Sequence, residues 1–174
     1  MSNKTKSTVF TGLAAALICV IAVWQIPLPA GVPLTFQVFA VAFAGYTLGC
    51  FRGTLAALVD IAVGALGLPV FSGFMGGVSV LAGPSGGFVF GFLPLCILCG
   101  LGSGKKTLPA LASGIAGLAI CHFFGVLRYS FVMNCGIVTA FLSVSLWYLL
   151  KDMALVAAAY FISHSVKKRV HRLL

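Results

Sequence analysis

Asp60 and Asp152 are the only carboxylate side chains in this 174-residue sequence, and both stand inside long apolar segments. A carboxylate at mid-helix in a bilayer costs about 2.5–3.5 kcal/mol on insertion scales. Residues kept at that cost usually face a cavity or a partner and mark function. Asp152 is therefore the leading candidate for a ligand contact. Asp60 has two readings: a contact at the floor of a pocket, or a protonated group bonded to a neighbouring helix, with His122 as its possible partner. Lys151 and Arg128 are the cations available to hold a ligand carboxylate, against simple snorkelling of their long side chains. On an ideal helix Lys151 points about 100° away from Asp152, so the two need not pair. Gln37 offers a donor and an acceptor amide in a nearly apolar chain, and Thr35 just before it is placed to cap a helix.

Other chemistry is missing. No serine, histidine and acid set is arranged for catalysis, so no enzyme is expected, nor any cofactor. Gly100-Leu-Gly-Ser-Gly-Lys-Lys-Thr107 lacks the glycine-to-lysine spacing of a P-loop. Cys96 and Cys99 form a C-x-x-C, but without a second pair or a histidine cluster, and five of the six cysteines sit in apolar runs as core filler. No metal site is expected. The net charge of +9 does not read as a nucleic-acid face, because the basic residues fall in short clusters between apolar stretches.

Those stretches are what must position the candidates. Hydrophobic residues make up 61% of the chain and charged residues 7%, with a mean hydropathy of +1.16. A soluble domain carries about a quarter charged residues, so the natural solvent of this chain is lipid. The expectation is an all-α polytopic membrane protein, one membrane-embedded domain over 1–174, with six candidate spans, a spanning helix needing about 20 apolar residues. They are read at 8–25, 35–50, 53–68, 88–101 and 108–126, with a sixth starting between 139 and 150 and ending near Ser163 or Ser165. The first is read as a span and not a cleaved signal, since its apolar run is long and lacks an A-x-A site. Lys4 and Lys6, Arg52, Lys105 and Lys106, and the tail with Lys167, Lys168, Arg169 and Arg172 all fall on one side if there are six spans. The positive-inside rule makes that side, and both termini, cytoplasmic.

The opposite side carries two uncharged loops, 26–34 and 68–87, rich in glycine, proline and aromatics. Asp152 rises about 20 Å above the basic tail at 1.5 Å per residue, which brings it level with them. Irregular backbone at membrane depth is tolerated only when buried in protein or lining a cavity. The loops are accordingly read as a lid over an outward-facing pocket, with a re-entrant packing element as the alternative. Phe71, Met75 and Gly77 are the candidate lid contacts. In the first helix Gly12, Ala15 and Ala16 would let another helix approach closely, either inside the fold or on a separate subunit.

Val32-Pro-Leu-Thr-Phe-Gln37, Gly67-Leu-Pro-Val-Phe71, Gly76-Gly77, Gly83-Pro-Ser-Gly-Gly-Phe88 and Asp152 near the start of the last helix resemble, in order and spacing, the BioY family. The resemblance covers nearly the whole chain. It implies a substrate-binding (S) component of an energy-coupling factor (ECF) transporter in the bacterial cytoplasmic membrane, selective for biotin. It also implies partners: a transmembrane coupling subunit docking on Gly12 to Ala16, and two ATPases that drive release inward. Relatives typically carry Asp-x-x-Lys at the start of the last helix. Here the lysine position is Leu155, and Lys151 precedes the aspartate. Relatives also often have Tyr at the position of Asp60, and some have a polar residue at that of Met75. The substrate set expected on this basis is Asp152, Lys151, Gln37, Thr35, Phe71, Met75, Gly77, Asp60 and Arg128. Two other readings stand beside it: an S component for another small vitamin or a solitary slow carrier, and a structural or assembly subunit without a ligand.

Overall fold

The computed structural model describes residues 3–29 and 31–170. The extreme ends, including Arg172 of the basic tail, and Ala30 of loop 26–34 lie outside the described residues, as does the side chain of Arg169. The described chain is almost wholly helical. Helix α1 (Asn3–Ala22) ends ahead of the first proline, and two short strands follow, β1 (Gln25–Ile26) and β2 (Leu34–Thr35). Then come α2 (Gln37–Ala65), α3 (Val78–Ala82), α4 (Gly86–Gly102), α5 (Thr107–Val132), α6 (Ile137–Val144) and α7 (Leu146–Val170).

Helix α2 is not one straight rod. Gly49 sits at φ 80°, ψ 177°, a backbone region open essentially to glycine alone. A Cβ on Gly53 would stand 2.8 Å from the Cα of Gly45, whereas residues eight apart on a straight helix are separated by about 12 Å. The chain therefore folds back at Gly49 into two packed limbs, 37–48 and 50–65. These correspond to the separate helices read from the sequence at 35–50 and 53–68. Among the described residues, four helical stretches, within α1, α2 taken end to end, α5 and α7, are long and apolar enough to cross a membrane, and α4 is a shorter apolar helix.

Small residues let these helices touch. A Cβ on Gly45 would meet the carbonyl of Cys96 at 2.5 Å, and one on Gly91 would meet the Cα of Cys121 at 2.7 Å. The core runs through Ile18, Val41, Tyr46, Leu95, Leu118 and Val156, all buried. Outside it Phe51, Leu108, Phe123, Val138, Trp147 and Leu150 are exposed, an apolar surface suited to acyl chains.

The two ends of the bundle differ in kind. At one end the Ser103 hydroxyl donates to the carbonyl of Tyr46 at 2.9 Å and accepts from Lys167. Tyr160 reaches the Thr107 hydroxyl beside them. This end gathers the turn after α4 and the basic close of α7. At the other end lie the loops. The sequence reading of loop 26–34 as irregular is corrected by the ribbon β1–β2, which pairs Gln25 with Thr35 and Ile26 with Leu34 antiparallel. Prolines 27, 29 and 33 deny this stretch a helix, and the ribbon satisfies some of its backbone groups. The glycine-rich loop likewise contains helix α3 and a bridge between Phe71 and Met75. The glycine-rich loop meets the chain just ahead of β1, where the Gly73 N–H donates to the carbonyl of Val23 at 3.0 Å.

Candidate functional site

The start of α7 supplies the charged part of the site. Tyr148, Lys151 and Asp152 stand at i, i+3 and i+4 and share one helix face. The Lys151 ammonium lies 2.7 Å from Oδ1 of Asp152, so the expectation that the two need not pair is corrected. The long lysine side chain reaches back across the turn. It also donates to the carbonyl of Thr35 at 2.7 Å, and the Tyr148 hydroxyl donates to the carbonyl of Val32 at 2.6 Å. Both bonds latch loop 26–34 and β2 onto α7.

Asp152 is only 4% exposed. Its second oxygen, Oδ2, lies 3.3 Å from Nε2 of His122 on α5, and Nδ1 of that ring is 2.9 Å from the Ser145 hydroxyl at the joint between α6 and α7. His122 thus meets neither Asp60, its possible partner by sequence, nor a backbone carbonyl, but Asp152 and Ser145. Asp60 instead accepts from the Gln37 amide, Nε2 to Oδ2 at 3.2 Å, between the two limbs of α2. This is the helix-to-helix reading of Asp60, with a different partner.

A narrow cleft, open at its mouth and with about 50 Å³ of free space inside, lies beside these groups. Loop 26–34 and β2 contribute Val32, Pro33 and Thr35 to its wall, α2 contributes Gln37 and Val38, and the glycine loop contributes Phe71 and Ser72. Val80 of α3 and Ser85, Phe88, Val89 and Phe92 form another side, and Tyr148, Lys151 and Asp152 close it. Phe71 is buried to 2% because Gly64 makes room for it: a Cβ there would lie 2.2 Å from the ring.

Of the residues singled out by sequence, Asp152, Lys151, Gln37, Thr35 and Phe71 come together around the cleft. Thr35 does so through its place in β2 and its backbone carbonyl; Phe36, not Thr35, precedes α2, and no side chain caps that helix. Met75, Gly77, Asp60 and Arg128 are not in the lining. Met75 is half exposed beyond its bridge to Phe71. Gly77, at φ 96°, donates its N–H to the carbonyl of Gly64 at 2.7 Å. Arg128 falls inside α5, which runs past the expected end at 126, and turns to the carbonyl of Ala82 and the Phe131 ring. The cation nearest Asp152 is therefore Lys151.

On α1, Gly12 and Ala16 are exposed, and a Cβ on Gly12 would meet nothing within 4 Å. Ala15 is corrected: it is 4% exposed and belongs to the core with Ile18, because it lies on the buried stripe Thr11, Ala15, Ile18, Ala22. Sequence reasoning missed Tyr148, Ser145 and the α4 wall. The wall had a signal, since Ser85, Phe88, Val89 and Phe92 stand at i, i+3, i+4 and i+7. Ser145 had none, as its role depends on where α6 breaks from α7.

The whole arrangement has close counterparts. The chain is 43% identical over 137 residues to a biotin transporter BioY of Thermotoga maritima, covering 77% of this chain and 78% of the relative. It is 40% identical over 149 residues to a biotin transporter BioY of Rhodobacter capsulatus, covering 82% and 78%. Its fold superposes on the crystal structure of the S-component for biotin from an ECF-type ABC transporter with a TM-score of 0.87 at 26% identity, over 97% of this chain and 95% of that one. The family model for BioY matches residues 1–172. With its apolar helices and this fold, the chain is a multi-pass cell-membrane protein and belongs to the BioY family.

Proposed function

We propose that this protein is the biotin-binding S component of an ECF-type transporter, capturing biotin from the outer side of the membrane. The observation that carries this reading is a paired, nearly buried Lys151–Asp152 set at one end of an otherwise mostly apolar cleft. Biotin has an apolar bicycle and alkyl chain between a ureido group and a carboxylate, and a pocket of apolar walls with few converging polar groups suits it. Asp152 accepts from a ureido N–H. Lys151 has three N–H donors, of which one goes to the Thr35 carbonyl, so the ammonium has donors left for a ligand oxygen. Gln37 and Phe71 complete the contacts, and the latched loops 26–34 and 68–87 act as the lid. The two curated relatives named biotin transporters support the choice of ligand.

The reading includes six spans in a single membrane domain, counting the two limbs of α2 separately, with the basic end cytoplasmic. It includes no catalysis by this chain. Release inward is driven by a separate transmembrane coupling subunit and its ATPases, which dock at Gly12 and Ala16. The exposure of both residues, and the open space that a Cβ on Gly12 would meet, support that position. Binding of labelled biotin to the detergent-purified protein tests the proposal. Asp152→Asn, checked for an unchanged elution profile, is expected to weaken binding by about 10- to 100-fold, as for loss of a hydrogen bond to a charged group. A well-folded wild-type protein that does not bind biotin would sink it.

A further inference from the structure

His122 is 4% exposed, and both its ring nitrogens are engaged by side chains from another part of the chain. We infer that His122 is the positioning residue of the Asp152 carboxylate, held as its Nε2–H tautomer by that carboxylate and oriented by Ser145. The inference deepens the proposed biotin site and rests on that reading for its effect on binding.

An ionised Asp152, paired with Lys151, presents acceptors only. The ring nitrogen 3.3 Å from its Oδ2 must then carry the proton, and that nitrogen is Nε2. In a neutral imidazole the other nitrogen is an acceptor. Nδ1 therefore takes the proton of the Ser145 hydroxyl, 2.9 Å away. The tautomer follows from the partners, the usual way in which one hydrogen bond of a histidine sets the role of its second nitrogen.

The ring plane is held as well. Phe88, from the cleft wall on α4, meets the imidazole edge-on at 5.6 Å between centroids and 89° between planes. Ser145 in turn is pinned at the α6–α7 joint, its N–H donating to Phe141 at 3.0 Å and its carbonyl accepting from Leu149 at 2.8 Å. His122 thus ties α5 to the joint from which Asp152 and Lys151 project. His122 lies 3.3 Å from Oδ2 of Asp152, while Oδ1, beside the Lys151 ammonium at 2.7 Å, has no hydrogen-bond partner of its own among the described residues and is open to a ligand donor.

Two glutamine and asparagine variants separate this role from general packing. His122→Gln places an amide N–H near the Nε2 position, while His122→Asn reaches only the Nδ1 position and cannot donate to Asp152. Biotin titrations of wild type and both variants, each with a matched unfolding temperature, are the binding arm. His122→Gln is expected to stay within about threefold of wild type, and His122→Asn to weaken binding by about tenfold or more. Equal losses in both variants, or none in either, would overturn the positioning role. The second arm needs no ligand: ¹⁵N spectra of histidine-labelled protein, with His122 assigned by its absence in His122→Gln. An Nε2–H tautomer that persists in Ser145→Ala is expected, because Asp152 sets it, and an Nδ1–H ring refutes the inference. If wild type fails to bind biotin, the proposed function falls and the spectra alone decide the role of His122.

Discussion

Replacing Lys151 by Met keeps the length of the side chain and removes its charge, and its cost can be worked from the contacts. Asp152, 4% exposed, would keep His122 at 3.3 Å but lose the ammonium at 2.7 Å. Breaking a fully buried ion pair by removing one partner costs about 3–5 kcal/mol. The Lys151 side chain is 21% exposed, so water and headgroups recover part of that, leaving about 2–3 kcal/mol. The lost bond to the Thr35 carbonyl adds about 1 kcal/mol. For a chain of this size each kcal/mol shifts the midpoint by about 2–4 °C, so the variant should unfold about 6–16 °C lower. Lys151→Met combined with Asp152→Asn removes both charges. The double variant should be more stable than the sum of the singles by about 1.5 kcal/mol or more, the signature of direct coupling. Thermal unfolding of the four proteins in one detergent completes the cycle. Strictly additive effects would refute the claim that the pair, rather than each residue separately, organises the start of α7.

Gly49→Ala places a Cβ in the φ 80°, ψ 177° region and should cost about 1–3 kcal/mol, measured as a lower unfolding midpoint; an unchanged midpoint would argue against the tight turn. Gly64→Val pushes into the Phe71 ring, 2.2 Å from a Cβ there, and should destabilise by about 1–3 kcal/mol and disturb the cleft, read together as midpoint and biotin affinity. Gly12→Leu meets no atom of this chain within 4 Å. It should leave biotin binding intact while abolishing uptake in cells that supply the coupling subunits, and unimpaired uptake would move the docking face elsewhere. Tyr148→Phe removes the bond to the Val32 carbonyl, worth about 0.5–1.5 kcal/mol, and should speed thiol labelling of a cysteine introduced at Leu28; an unchanged rate would show that this latch does not hold the loop.

Much of the architecture was legible because lipid imposes a simple rule on sequence. Apolar runs had to be helices, and prolines 27, 29 and 33 had to end the first of them. The candidate site was legible in part. Asp152 declared itself as a carboxylate in an apolar run, and Phe71 as a large ring in a glycine loop. Arg128 misled, because α5 continues past residue 126 and carries it to Ala82. Met75 misled because, although bridged to the buried Phe71, it is left half exposed outside the cleft.

What the sequence determined by itself was the medium, the helical class and the inequality of the two ends, since each follows from the kind of residue and its order along the chain. Tertiary structure alone decided the partners. Gln37 and Asp60 are 23 residues apart, and the Tyr148 hydroxyl and the carbonyl it latches are 116 residues apart. The same holds for His122, whose ring could have served either aspartate by type and went to Asp152 by position. A hydrogen bond forms or fails within a few tenths of an ångström, a precision fixed only when α5, α7 and the two limbs of α2 pack against one another.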